Sequence, residues 1–216
     1  MKNIEILYED DSALIINKPA GLAVQGGEGV KSSLDVILSK MRSPAPLLVH
    51  RLDKDTSGIV LAAKNRDAAA HFSHVFRNHQ KVKKIYIAVC RGIPGKKQGG
   101  INDDLYIRGK QKKSQTMYRV LKSGKLPLQD RENYSVLELV PETGRMHQIR
   151  RHLAMRGNPV LGDDKYGDFA LNKKLRKSMG LKNLLLHASG LIINDGCQIE
   201  INAPAPDYFS GYLPAD

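Results

Sequence analysis

Short apolar segments interrupted by turn residues recur along this chain, and their order constrains the fold more than any other feature. The stretch "IEILYEDDSALII" alternates apolar and polar residues around the turn Asp10–Ser12, which predicts a β-hairpin. Further strands are predicted at "GIVLAAK", "KKIYIAVCRG", "TMYRVLKS", "ENYSVLELV", "NLLLHASGLIIND" and "CQIEINAPAP". Helices do not alternate regularly with these strands, so the pattern favours an α+β fold over a parallel α/β fold. We expect a mixed, largely antiparallel central sheet with flanking helices and loops.

Three segments carry apolar residues at helical spacing. They are "SSLDVILSKM", "NRDAAAHFSHVFRNHQ" and "MHQIRRHLAMRG". In the second segment Ala69, Phe72, Val75 and Phe76 share one predicted face, and Gly157 is placed to end the third helix. The 216 residues contain no repeat and no long linker, which predicts a single domain spanning residues 1–216.

The excess of basic over acidic residues indicates which kind of molecule the protein binds. Lys and Arg number 34 against 22 Asp and Glu, giving a net charge of +12, which favours a polyanion such as nucleic acid. Basic surfaces have other uses, so charge alone also allows a soluble protein without such a partner. Two clusters stand out, and each has a solvated charge run as its alternative. They are Arg108, Lys110, Lys112 and Lys113, and then Lys173, Lys174, Arg176 and Lys177.

Several classes of protein are disfavoured. No apolar run approaches the roughly 18 residues that span a bilayer, and acidic residues stand where a signal peptide has its apolar core, so we expect a cytoplasmic protein. Cys90 and Cys197 are far apart, which predicts buried thiols. His71 and His74 lack further ligands at suitable spacing, and phosphate-cradle motifs are missing, so no metal or nucleotide cofactor is expected.

The stretch "HRLDKDTSG" concentrates charge beside an apolar segment. In an extended chain Arg51, Asp53 and Asp55 point to the same side. An adjacent arginine keeps a carboxylate ionised, and an ionised, partly buried carboxylate is a plausible nucleophile. Composition alone favours a polar turn over a catalytic site, with Asp55 to Ser57 as turn formers and Gly58 at positive φ.

A second stretch, "TGRMHQIRRHLA", is predicted to be helical from about Met146. That helix would turn Met146, Ile149 and Leu153 inward and carry Arg150 with them. A buried guanidinium needs an anionic partner, and Asp53 is the candidate. The alternative is an amphipathic helix with its charges in water. In the strand "KKIYIAVCRG", Tyr86 suits either stacking on a base or ordinary core packing.

Taken together, these stretches resemble the RluA family of RNA pseudouridine synthases. "HRLDKDTSGIVLAAKN" is similar to the catalytic signature of that family. "NKPAGL", "KKIYIAVCRG", "TGRMHQIRRHLA", "GDDKYG", "LLLHASGL" and "INAPAPDYF" match its other blocks in order, nearly end to end. Two features depart from the pattern: Met146 stands where Thr or Ser is common, and no S4-type RNA-binding domain is seen before the core. The resemblance is closest to members that act on large-subunit ribosomal RNA.

The resemblance implies a site and a reaction. The enzyme would break the bond between uracil N1 and the ribose, turn the base and rejoin it through C5, without cofactor or metal. Asp53 would be the catalytic carboxylate, attacking either the sugar or the uracil ring. Tyr86 would lie against the base, Arg150 would pair with Asp53, and Arg51 would help displace the base. Other RNA contacts are expected from Arg145, His147, Gln148, Arg108, Lys112 and Lys113.

Alternative functions follow from the same residues. One is the same reaction on transfer RNA, and another is a non-catalytic RNA-binding or ribosome assembly factor on the same core. A third is a hydrolase that uses Asp53 and Asp55 as a carboxylate pair, with Asp55 as the acid. A monomer is expected in each case.

Overall fold

The computed structural model describes residues 4–27, 32–78, 80–128 and 131–214, without the side chain of Cys197. The chain divides into two compact units. Unit 1 comprises Met1–Lys84 and Ala188–Pro204, and unit 2 comprises Ile85–His187 and Ala205–Asp216. The expectation of one domain over residues 1–216 therefore stays a prediction. Within the described ranges, no helix is both long and apolar enough to cross a membrane.

Unit 1 consists of β-strands, several of them in antiparallel pairs, with an amphipathic helix packed on them. Its strands are β1 (Glu5–Glu9), β2 (Ala13–Lys18), β3 (Leu47–Leu48), β4 (Ser57–Ala63), the part of β11 (Leu186–Asp195) from Ala188 onward, and β12 (Cys197–Asn202). Their order is β1–β2–β4–β11, with β3 on β4 and β12 on β11. The pairings of β1 with β2 and of β2 with β4 are antiparallel, which confirms the predicted N-terminal hairpin.

The helices of unit 1 are α1 (Leu34–Met41) and α2 (Arg66–Arg77). Asn65 caps α2, since its side-chain oxygen accepts a hydrogen bond from the Ala68 amide. Phe72, Val75 and Phe76 are buried as predicted, together with Ala68, and the predicted Ala69 is partly buried against the same core. This face packs on Ile59 and Leu61 of β4 and on Leu191 and Ile193 of β11, which forms the core of unit 1.

Unit 2 contains antiparallel strands and two helices. Its strands are β5 (Val82–Arg91) from Ile85 onward, β6 (Gln98–Ile101), β7 (Leu105–Ile107), β8 (Lys110–Lys112), β9 (Thr116–Lys125) and β10 (Asn133–Pro141). The order is β5–β10–β9–β6, while β7 and β8 form a separate hairpin. Every pairing named here is antiparallel, in agreement with the predicted α+β class.

The helices of unit 2 are α3 (Gln148–Met155) and α4 (Phe169–Met179), followed by a 3₁₀ turn at Asp207–Phe209. Gly157 follows α3 with φ +73°, which confirms its predicted place at the end of that helix. Leu153 of α3 and Leu175 of α4 are buried with Leu137 of β10 in one core. Cys90 is buried there as predicted, and burial raises the pKa of its thiol far above the usual value.

Candidate active site

The "HRLDKDTSG" segment forms a loop between β3 and β4. Leu52 is buried, Asp53 is half-buried, and Arg51 and Asp55 are exposed. The amide of Thr56 donates to the carbonyl of Asp53 at 3.2 Å, so the loop closes one turn before β4 begins. The predicted turn at Asp55 to Gly58 therefore lies earlier in the chain, because Ser57 and Gly58 already belong to β4. We call residues 50–56 the Asp53 loop.

A buried lysine anchors the Asp53 loop. Lys18, at the end of β2, is fully buried, and its ammonium donates to three backbone carbonyls. The acceptors are those of Pro19 at 3.0 Å, Leu22 at 2.9 Å and Lys54 at 3.1 Å. A buried ammonium needs such compensation, so these bonds fix the carbonyl next to Asp53 relative to β2. The "NKPAGL" block pointed to this region, but the sequence reasoning gave Lys18 no role.

The other end of the loop is held by an imidazole. Nε2 of His50 accepts a hydrogen bond from the Leu61 amide at 2.8 Å. The ring also stacks on Phe76, with centroids 4.4 Å apart and an angle of 10° between the planes. Burial, and secondarily the charge of Lys84, lowers the pKa of His50 to about 3. His50 is therefore neutral near pH 7 and carries its proton on Nδ1.

Gly58 marks a close approach of two backbones at the start of β4. It adopts φ +112°, and a Cβ atom there would lie 2.2 Å from the carbonyl oxygen of Ala188. Only a residue without a side chain fits this position. The glycine of the "TSG" triplet therefore sets how β4 passes β11.

Unit 2 contains a buried ion pair. Nε and Nη2 of Arg150 each donate to one carboxylate oxygen of Asp163, both at 2.7 Å. The two side chains are 5% and 1% exposed. The prediction that Arg150 faces inward with Ile149 and Leu153 is confirmed. The predicted inward position of Met146 is wrong, because α3 begins at Gln148 and Met146 is exposed.

The structure gives Arg150 a partner that the sequence did not predict. Asp163 comes from the "GDDKYG" turn, which the sequence reasoning treated as a weak motif. Burial alone would raise the pKa of Asp163. Hydrogen bonds from Arg150 and from the amides of Tyr166 and Lys165 outweigh that effect and hold the pKa below its usual value. Asp53 and Arg150 belong to different units, so their pairing stays a prediction.

Tyr166, in the "GDDKYG" turn, contacts two predicted site residues, Arg150 and His147. Its ring lies 5.4 Å from the guanidinium carbon of Arg150, and its hydroxyl is 3.0 Å from Nδ1 of His147. His147 precedes α3 in the left-handed region, at φ 52°, which is uncommon for a residue with a side chain. Arg150, His147 and the "GDDKYG" turn thus form one cluster within unit 2.

Gln148 and Tyr86 occupy different environments. The Gln148 amide is buried, and its four hydrogen bonds lie within unit 2: it accepts from Thr143 and from the Arg145 amide, and it donates to Gln115 and Thr116. The predicted RNA contact of Gln148 stays untested, and its bonds indicate a role in shaping the loop before α3. Tyr86 lies in β5 opposite Leu139, half-buried against the core of unit 2.

The remaining predicted RNA contacts lie on or beside the β7–β8 hairpin. Arg108 forms its turn together with Gly109, both at positive φ. Lys112 ends the exposed return strand, and the exposed Lys113 follows it. Nε of Arg145 donates to the carbonyl of Lys113 at 3.2 Å, which joins the loop before α3 to the hairpin. These four exposed cations therefore share one region of unit 2.

One buried histidine fixes the base of that hairpin. Nε2 of His152 lies 2.9 Å from both the Asp103 carbonyl and the Ser114 hydroxyl, while Nδ1 lies 2.9 Å from the Thr116 hydroxyl. Burial lowers the pKa of His152, so the neutral ring joins α3 to both ends of the hairpin. Across the residues described, no three His, Cys, Asp or Glu side chains are grouped to hold a metal ion.

Comparison with known proteins identifies the family. A sequence profile described as RNA pseudouridylate synthase matches residues 12–155. A protein of Rickettsia bellii named ribosomal large subunit pseudouridine synthase C is 36% identical over 95% of this chain and 69% of its own length. A protein of the same name from Vibrio parahaemolyticus is 37% identical over 92% of this chain and 65% of its own length.

A solved structure supports the same assignment. Human RNA pseudouridylate synthase domain containing 1 superimposes with a TM-score of 0.79 at 28% identity, covering 97% of this chain and 86% of the human chain. The matched segment contains the Asp53 loop, Tyr86 and Arg150. The chain belongs to the RNA pseudouridylate synthase family, as the resemblance of its motifs predicted.

Proposed function

We propose that this protein isomerises specific uridines to pseudouridine in large-subunit ribosomal RNA, with Asp53 as its catalytic carboxylate. The observation that carries the proposal is the anchored Asp53 loop. The resemblance of the motif assigns the catalytic role to Asp53, which is half-buried, and Lys18 and His50 hold its loop on either side. The names of the similar bacterial proteins favour ribosomal RNA as the substrate.

The reaction requires a target base that has left its stack, which costs a few kcal/mol. Arg51 is exposed next to Asp53 and is proposed to contact the place that the base leaves. Tyr86 is proposed to lie against the base, and Arg150 to present its charge to Asp53. The cations of the β7–β8 hairpin would bind phosphates, and their sequence-independent attraction offsets part of the cost of flipping.

Replacement of the proposed carboxylate tests the function. We expect Asp53→Asn to form no detectable pseudouridine in a ribosomal RNA transcript while binding that RNA within about twofold of the wild type. Asp55→Asn is the matched control, since Asp55 is exposed in the same loop and should keep nearly full activity. Pseudouridine is measured by carbodiimide labelling and primer extension. Full activity of Asp53→Asn would refute the proposal.

The alternatives give different results in the same experiments. A carboxylate-pair hydrolase would lose activity in Asp55→Asn, and a non-catalytic assembly factor would function equally well with Asp53→Asn in the cell. Pseudouridine mapping of total ribosomal and transfer RNA, with and without the gene, separates the two RNA classes. A cytoplasmic location and a monomeric state stay predictions.

A further inference from the structure

The direction of the Arg150 guanidinium depends on a turn that lies outside α3. Asp163 holds two of its nitrogens, and Oδ1 of Asp163 also accepts from the amides of Lys165 and Tyr166, both at 2.9 Å. The carboxylate is thus fixed to its own turn, and the guanidinium is fixed to the carboxylate. Any shift of this turn moves the charge of Arg150 with it.

The side chain of Asn172, in α4, makes two hydrogen bonds to the backbone of this turn, on either side of the peptide bond between Gly162 and Asp163. Oδ1 of Asn172 accepts from the Gly162 amide at 2.9 Å, and Nδ2 donates to the Asp163 carbonyl at 3.0 Å. Asn172 is 5% exposed. The amide offers both an acceptor and a donor at this spacing, whereas an ionised carboxylate lacks the donor and an aliphatic side chain lacks both.

Helix α4 is itself firmly placed, so Asn172 is a fixed point rather than a passive neighbour. Asp168 caps the helix by accepting from the Leu171 amide at 2.9 Å, and its other oxygen accepts from Arg91 at 2.7 Å. Leu171 and Leu175, on either side of Asn172, are buried in the core of unit 2. The inward face of α4 therefore presents Asn172 to the turn in one orientation.

We propose that Asn172 is a positioning residue for uridine isomerisation, which orients Arg150 through Asp163. The inference rests on the proposed function, because it requires that Arg150 acts in the reaction. Loss of the Asn172 amide would leave the Gly162 amide and the Asp163 carbonyl without partners. Arg150 would then present its charge with a wider range of directions, which affects the chemical step more than RNA binding.

The test compares Asn172→Ala with Asn158→Ala. Asn158 is a matched control because it lies in the same unit and makes one comparable bond, from its Nδ2 to the Arg91 carbonyl at 3.0 Å. We expect Asn172→Ala to lower kcat about tenfold with KM and RNA affinity within twofold of the wild type. Asn158→Ala should keep kcat while losing stability. Both are assayed at a temperature where circular dichroism shows them folded.

A double variant separates positioning from general damage. On an Arg150→Lys background the oriented guanidinium is already lost, so Asn172→Ala should add less than twofold to the loss of kcat. A full tenfold further loss would overturn the inference, as would an equal kcat loss in Asn158→Ala. Wild-type kcat in folded Asn172→Ala, with Asp53→Asn inactive, would refute this inference alone. Activity in Asp53→Asn would instead refute the proposed function.

Asn172→Asp provides a second route if the alanine variant does not fold. It keeps the acceptor for the Gly162 amide but loses the donor to the Asp163 carbonyl when ionised. Burial raises the pKa of a carboxyl introduced at this position, and its protonation restores a donor, so kcat relative to the wild type should rise as pH falls from 8 to 5.5. Wild-type kcat at pH 8, where the carboxyl is ionised, contradicts the inference.

Discussion

A neutral imidazole just before Asp53 connects the candidate site to the stability of unit 1. His50 accepts from the Leu61 amide and stacks on Phe76, and burial lowers its pKa to about 3. The unfolded chain takes up a proton at this histidine near its ordinary pKa of about 6.5, whereas the folded chain does not. The stabilisation is therefore complete above pH 6.5 and decreases as pH falls towards 3.

Replacement of His50 should make the free energy of unfolding depend less on pH. In His50→Gln an amide oxygen can still accept from the Leu61 amide, but nothing titrates at that position. We expect the free energy of unfolding to fall between pH 6 and pH 5 by about 1 kcal/mol more in the wild type than in the variant. Urea titrations at pH 7, 6 and 5 provide the measurement, and parallel pH profiles would contradict the assignment.

Arg150, Asp163 and Lys18 show which parts of the site could be predicted from the sequence and which could not. The apolar pattern around Arg150 correctly predicted a buried guanidinium that requires a carboxylate, since that follows from helical spacing. It did not identify Asp163, because the turn that brings this residue back is closed by backbone bonds and by Asn172. Lys18 was missed for a similar reason, since its acceptors are carbonyls that every residue possesses.

The backbone of strand β4 passes very close to that of β11 at Gly58 and Ala188. Gly58→Ala would place a Cβ atom 2.2 Å from the Ala188 carbonyl oxygen and 2.6 Å from its nitrogen, at φ +112°. Because both obstacles are backbone atoms, neither can rotate away. We expect a loss of about 3 kcal/mol or more in the free energy of unfolding.

Gly157→Ala is the control for this prediction. Gly157 also has a positive φ, +73°, but a Cβ atom there meets nothing within 4 Å. Gly157→Ala should lower the free energy of unfolding by about 1 kcal/mol, because only the positive φ is unfavourable for alanine. Chemical denaturation of both variants measures the difference, and similar losses would show that the contact with Ala188 does not matter.

Helix α4 shows why element prediction was incomplete. Asp168 at its start, Leu171 and Leu175 four residues apart, and Gly180 at its end are all helix signals. The cations from Lys173 to Lys177 drew the interpretation towards a charge run instead. Helix α2 was found because its apolar face has four members, whereas α4 buries only two leucines and the polar Asn172.

For the whole molecule, the net charge of +12 predicts that affinity for RNA depends strongly on salt concentration. Each phosphate contact contributes about 0.7 to 0.9 to the slope of log affinity against log salt. The triple variant Arg108→Gln, Lys112→Gln, Lys113→Gln should therefore reduce the magnitude of that slope for ribosomal RNA by about 2 to 3. Filter binding between 50 and 300 mM KCl measures the slope.

A second triple variant removes the same charge elsewhere. The variant Lys173→Gln, Lys174→Gln, Lys177→Gln changes the exposed side of α4, and we expect a nearly unchanged slope. Equal effects of the two triple variants would mean that only total charge matters and that the β7–β8 hairpin is not a specific contact surface.

The buried ammonium of Lys18 has a consequence for any attempt to divide this protein. It bonds to the Lys54 carbonyl, 36 residues further along the chain. A fragment that starts after β2 would keep every residue of the Asp53 loop yet lack the cation that shapes it. An active fragment must therefore begin at or before Lys18, well ahead of the signature motif, and a split-enzyme design must leave residues 18 to 54 on one fragment.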